Sequence, residues 1–122
     1  MAALDRGEIW LLENLPKLRR ATPDAIYNIW GHGYGIYALA RMHDRNPTDT
    51  ARRERIQKVI ASQIDLLTRY EAVDGGWGYY DFELGTQKPA SMTTSFMTAT
   101  VLIALKEAER VGAEIPDRKS VV

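Results

Sequence analysis

The run Ser91-Met-Thr-Thr-Ser-Phe-Met-Thr-Ala-Thr-Val-Leu-Ile-Ala-Leu-Lys106 carries no charge before its last residue. Its apolar and small side chains do not segregate onto one helical face. A helix of that kind is buried on all sides. The pattern predicts an enclosed helix over about Met92–Val111, with Ser91 as N-cap, Gly112 as C-cap and Pro116 just beyond.

The preceding segment has the opposite character. From about Thr50 to Glu71, Ile56, Ile60, Ile64 and Leu67 repeat at helical spacing, with Val59 beside them. Arg52, Arg53, Arg55, Lys58 and Asp65 fill the rest of the surface. This reads as an outer helix with one wet face. The same pair of characters occurs earlier in the chain. Leu4, Ile9, Leu11, Leu12, Leu15 and Leu18 make a stripe over about Leu4–Arg20, which Pro16 should kink or divide. Thr22-Pro23 offers a fresh helix start. A second enclosed segment covers about Gly31–Asp44, opening on the glycine-rich Trp30-Gly-His-Gly-Tyr-Gly35. Glycines in a helix are tolerable where another backbone packs closely. Aligning Ile36-Tyr-Ala-Leu39 with Leu102-Ile-Ala-Leu105 sets Trp30 against Phe96 and Tyr34 against Thr100.

The expected fold is therefore all-α, a single domain over 1–122. It holds two antiparallel helical hairpins, about 4–45 and 49–112, stacked as an arc of an α/α toroid. Each hairpin needs neighbours to bury its inner helix. Self-association or the remainder of a longer chain is expected to supply them.

Composition narrows the function classes. Among 122 residues, sixteen basic side chains balance sixteen acidic ones, so no net field recruits nucleic acid or an anionic membrane. No cysteine is present, which excludes disulfides, thiolate zinc sites and a cysteine nucleophile and fits any compartment. No signal peptide or bilayer-spanning apolar run is visible.

The loop Asp74-Gly-Gly-Trp-Gly-Tyr-Tyr-Asp-Phe82 concentrates rings, carboxylates and glycines between the one-sided and the enclosed helix. Together with the alternation of outer and inner helices, Asp74-Gly-Gly-Trp-Gly78 resembles the α/α-toroid repeats of terpene cyclases and protein prenyltransferases. The run from Gln63 to Trp77 is similar to a lengthened form of the Gln-Trp motif of squalene and hopene cyclases. There the glutamine bonds toward the inner helix and the tryptophan caps the repeat. The resemblance is carried by the second repeat and reaches the first only in outline, through Trp30. It implies a cavity for an isoprenoid-like ligand. The chemistry of the family is not matched. The Asp-x-Asp-Asp proton source of class II cyclases is absent, with Asp81-Phe-Glu83 the nearest pair. The zinc-binding cysteine of prenyltransferases and the thioester segment of complement-like domains are also missing.

The remaining candidates come from residue type. Trp77, Tyr79, Tyr80 and Tyr34 can line an apolar or sugar-binding wall, or plug the gap between hairpins. Asp81 and the glycine-flanked His32 are the catalytic candidates; Asp74 could pair with Asp81 as acid and base but is read first as bonding the amides of its own glycine turn, and His32 first as a packed, hydrogen-bonded histidine. No metal set and no cofactor is expected. Two functions stay open: a toroid segment binding a hydrophobic small molecule, and a non-enzymatic repeat module binding a protein or glycan partner through the Asp74–Phe82 loop. Whether either involves catalysis is not decided by these residues.

Overall fold

A computed structural model describes residues 2–18, 28–72, 75–78 and 93–116. The described residues are all-helical and contain no strand. Helix α1 covers Ala3–Asn14, α2 Ile29–His43, α3 Thr50–Arg69 and α4 Ser95–Arg110. A short 3-10 turn, Leu15–Lys17, follows α1 and holds Pro16 in its first positions. The missing N–H of Pro16 thus ends the first helix rather than bending it.

Capping explains the other boundaries. Asn28 accepts from the Gly31 amide and Asp49 accepts from the Arg52 amide, so each satisfies a free donor of the first turn. Helix α4 starts at Ser95, three residues later than the sequence predicts. Its N-cap Thr94 makes no side-chain cap bond, and Ser91 and Met92 lie outside the described residues, as does Thr22-Pro23. At the far end Gly112 has φ +100°. The Gly112 amide donates to Glu109 and the Ala113 amide to Ala108, which closes a Schellman turn.

Successive helices run antiparallel. Asp5 of α1 meets Arg45 just beyond α2, while Leu15 meets Gly35 near the other end. On α3, Gln63 meets His32 and Arg52 reaches the Met42 carbonyl. Helix α4 lies beside α2 and parallel to it: Trp30 stacks on Phe96 at one end and Asp44 pairs with Arg110 at the other. Both contacts join residues 66 apart, the offset of the sequence alignment. The core between these helices is built from Ile36, Leu39, Ile56, Ile60, Leu67, Trp77, Met97 and Val101, each at most 1% exposed.

Helix α4 is buried on one side: Met97, Val101, Ala104, Leu105 and Ala108 are buried, while Phe96 and Ile103 are 52% and 57% exposed. The other described helices cover it from one direction only, as expected of an inner helix whose neighbouring hairpins are not among the described residues. One expectation changes, the role of the α2 glycines. It is the Leu18 and Leu15 side chains, not another backbone, that press on Gly31 and Gly35, where a Cβ would come within 2.3 and 2.6 Å of them.

Candidate functional site

Trp77 illustrates how the loop is anchored. Ala72 and Gly76 close a tight turn, Ala72 donating to Gly76 O at 2.7 Å and Gly75 to Ala72 O at 2.9 Å, with Gly75 at φ +97°. Gly76 lies so near Thr93 and Thr98 that a Cβ would meet them at 2.7 and 2.8 Å. This brings Trp77 down between α3 and α4. Its indole N–H donates to Leu67 O at 2.8 Å, and its backbone N–H donates to Thr98 Oγ1 at 3.0 Å. At 1% exposure the ring is a structural plug and offers no wall to a ligand. Tyr79, Tyr80, Asp81 and Asp74 lie outside the described residues.

Gln63 and His32 form a buried polar pair, both at 0% exposure. His32 Nδ1 stands 2.7 Å from Gln63 Oε1. An amide oxygen only accepts, so Nδ1 carries the proton and Nε2 the lone pair. The Gln63 amide nitrogen donates to Ser62 Oγ at 3.3 Å. Tyr70 stacks on the imidazole at 6.4 Å between centroids. Burial pushes the His32 pKa below its ordinary value, against the opposing pull of the Gln63 bond. The imidazole is thus held neutral. His32 Nε2 has no hydrogen-bond partner among the described residues, yet it reaches no surface from which a substrate could be touched. No group of three or more His, Asp or Glu side chains among the described residues could hold a metal ion.

Tyr34 lies in a different setting. It is 60% exposed and belongs to a shallow groove of about 300 Å³ where α2 and α4 run side by side, lined by Gly33, Tyr34, Tyr37, Thr100 and Ile103. Trp30 extends the groove toward the start of the helices. Its ring stacks on Tyr34 at 5.6 Å and on Phe96 at 5.9 Å. A Cβ on Gly33 would stand 4.0 Å from the Thr100 methyl, an ordinary contact, so the hollow has room for a methyl there. Arg41 rests over the Tyr37 ring at 5.5 Å. This strip repeats at i, i+4, i+7 on each helix: Trp30, Tyr34, Tyr37 and Phe96, Thr100, Ile103. The sequence alignment paired Trp30 with Phe96 and Tyr34 with Thr100. Recognising that the paired helices touch along that stripe would have found Tyr37 and Ile103 as well.

Comparison with family models, with curated proteins and with solved structures finds no match. No described helix is long and apolar enough to cross a membrane.

Proposed function

We propose that this chain is an α/α-toroid-type module that holds an apolar, isoprenoid-like ligand along the α2–α4 groove. The observation that supports this reading is the continuous aromatic strip Trp30–Tyr34–Phe96 leading into the apolar hollow of Tyr37 and Ile103. Ring faces and a branched aliphatic side chain offer apolar area without a charge at the floor, which suits a methyl-branched hydrocarbon. A larger groove of about 980 Å³ lies beside α3, but Asp65, Glu109 and Glu114 line it, so it suits such a ligand less well. The bond from Gln63 to the inner helix α2, through His32, agrees with the toroid reading. The proposal is for binding. His32 is sealed from the groove, and the reading assigns no catalytic group.

Titration of the chain with farnesol, followed by tryptophan fluorescence in a Trp10→Phe background, tests the reading. A saturable change lost in Trp30→Phe, with affinity at least tenfold weaker in Tyr37→Ala, is expected. A signal that never saturates, or one that both variants leave untouched, overturns it.

A further inference from the structure

The stripe on α2 does not end at Tyr37. Trp30, Tyr34, Tyr37 and Arg41 recur at i, i+4, i+7 and i+11. On α4, Phe96, Thr100, Ile103 and Glu107 recur at the same intervals, 66 residues on. The α2–α4 groove thus runs from rings near the N-terminal ends of the two helices to charged side chains near their C-terminal ends. From Trp30 to Arg41 it extends about 16 Å along the axis, at 1.5 Å per residue.

Arg41 and Glu107 hold matching places but do not pair. Glu107 is drawn along its own helix, accepting from Arg110 Nη2 at 2.8 Å and from Arg110 Nε at 3.2 Å. Arg110 also donates to Asp44 at 2.8 Å, and Lys106 lies 3.6 Å from Glu109. Arg45 and Arg52 are likewise held by carboxylates of α1. Arg41 differs: among the described residues it has no carboxylate within ion-pair distance. Its guanidinium lies 5.5 Å from the centre of the Tyr37 ring, and Nη2 donates a long bond, 3.5 Å, to the Tyr37 hydroxyl. Most of its N–H donors are left for another acceptor. The side chain is exposed, so an acceptor in the groove can reach it.

We propose that the groove takes an amphiphile with a carboxylate head, bonded to Arg41 and the Tyr37 hydroxyl, with its tail laid over Ile103 and Tyr34 toward Trp30 and Phe96. This rests on the apolar-ligand reading of the groove and adds the direction and charge of what fills it. A phenol donates as well as accepts, so a carboxylate can take one bond from the guanidinium and one from Tyr37. A hydrocarbon or a simple alcohol leaves the guanidinium to water. The head carries a single charge for an electrostatic reason. Arg41, Lys106 and Arg110 are matched in formal charge by Asp44, Glu107 and Glu109. The C-terminal ends of α2 and α4 add partial negative charge. This end of the groove offers one free donor group and no surplus of positive charge, so it suits a carboxylate better than a phosphate or diphosphate.

Farnesol, methyl farnesoate and farnesoic acid share one tail and differ in the head. Fluorescence titration in the Trp10→Phe background compares them at neutral pH and low salt, below the concentration at which the probes aggregate. Farnesoic acid should bind about three- to tenfold more tightly than either neutral probe, as one charge-assisted contact at an exposed site allows. Raising the salt should shrink that preference. Arg41→Gln should bring the acid to the level of the neutral probes, and circular dichroism checks that the variant keeps the wild-type helix content. Farnesyl diphosphate should bind no more tightly than the acid. An acid bound no tighter than farnesol, a preference that survives Arg41→Gln, or a diphosphate that outbinds the acid overturns the proposal and leaves the apolar groove standing. No saturable binding of any probe overturns both readings together.

Discussion

His32 Nδ1 and Gln63 Oε1 face each other at 2.7 Å inside the protein, joining inner helix α2 to outer helix α3 through two side chains with no exposed surface. The bond fixes Nδ1 as the donor, and burial holds the ring neutral. Protonating the ring would place a charge on Nε2, which has no partner among the described residues.

A pH dependence follows from that arrangement. The folded-state pKa of His32 lies below its ordinary value, with burial the larger cause. The folded chain then binds fewer protons than the unfolded one near and below about pH 6.5. Stability contributed by the neutral ring is complete above that pH. It falls as pH drops through it, and it levels off only below the folded value. Urea unfolding at a series of pH values from neutral to mildly acidic should show this decline, and His32→Asn should flatten it. An equal slope in both proteins would place the titrating group elsewhere.

Trp77 separates packing from hydrogen bonding. Truncation to alanine removes a fully buried ring and should cost about 3–5 kcal/mol. Trp77→Phe keeps most of the volume but leaves the Leu67 carbonyl without the indole donor, at about 1–3 kcal/mol. Thermal unfolding orders the three proteins as wild type, Phe, Ala. A Trp77→Ala protein with wild-type melting behaviour would show that the ring does not plug the α3–α4 junction.

Glu8 is 5% exposed and holds Arg52, which also donates to the Met42 carbonyl. Charge-assisted bonding to Glu8 raises the Arg52 pKa. Glu8→Ala leaves a guanidinium short of its anion in a partly buried site, and a loss of about 3 kcal/mol is expected. Replacing both residues by methionine should recover part of that loss, because no unpaired charge remains. Urea midpoints of the single and double variants decide the matter. A double variant less stable than Glu8→Ala would mean that Arg52 stabilises mainly through Met42.

Two glycines should respond with opposite signs. Gly7 lies within α1 with open space around its Cβ position, so Gly7→Ala should stabilise by about 0.5–1 kcal/mol through helix propensity. Gly76→Ala would drive a methyl against Thr93 and Thr98, and should destabilise by about 1–3 kcal/mol. Melting temperatures on the same day and in the same buffer give both signs directly. A neutral Gly76→Ala would mean that the turn can shift away from α4.

The sequence by itself determined which segments are helical and which of their faces are apolar. The isoleucine stripe of α3, Pro16 after α1, Asp49 before α3 and Gly112 after α4 act through spacing and local backbone chemistry, and they need no distant partner. Even the offset of 66 between the inner helices was legible, because repeated hairpins carry repeated patterns. What only the tertiary structure decided is which neighbour each face meets. Nothing local tells that Trp77 bonds Leu67, that Gln63 reaches His32, or that Leu15 and Leu18 fill the space left by Gly35 and Gly31. The composition of α4 permits burial on every side, which is why the sequence reading asks for neighbours beyond the two hairpins. Burial, however, needs an equal number of partners in space, and the described helices supply them only from the side of α2 and α3. Composition sets what a face tolerates; the count and placement of neighbours set what it meets, and that is a property of packing.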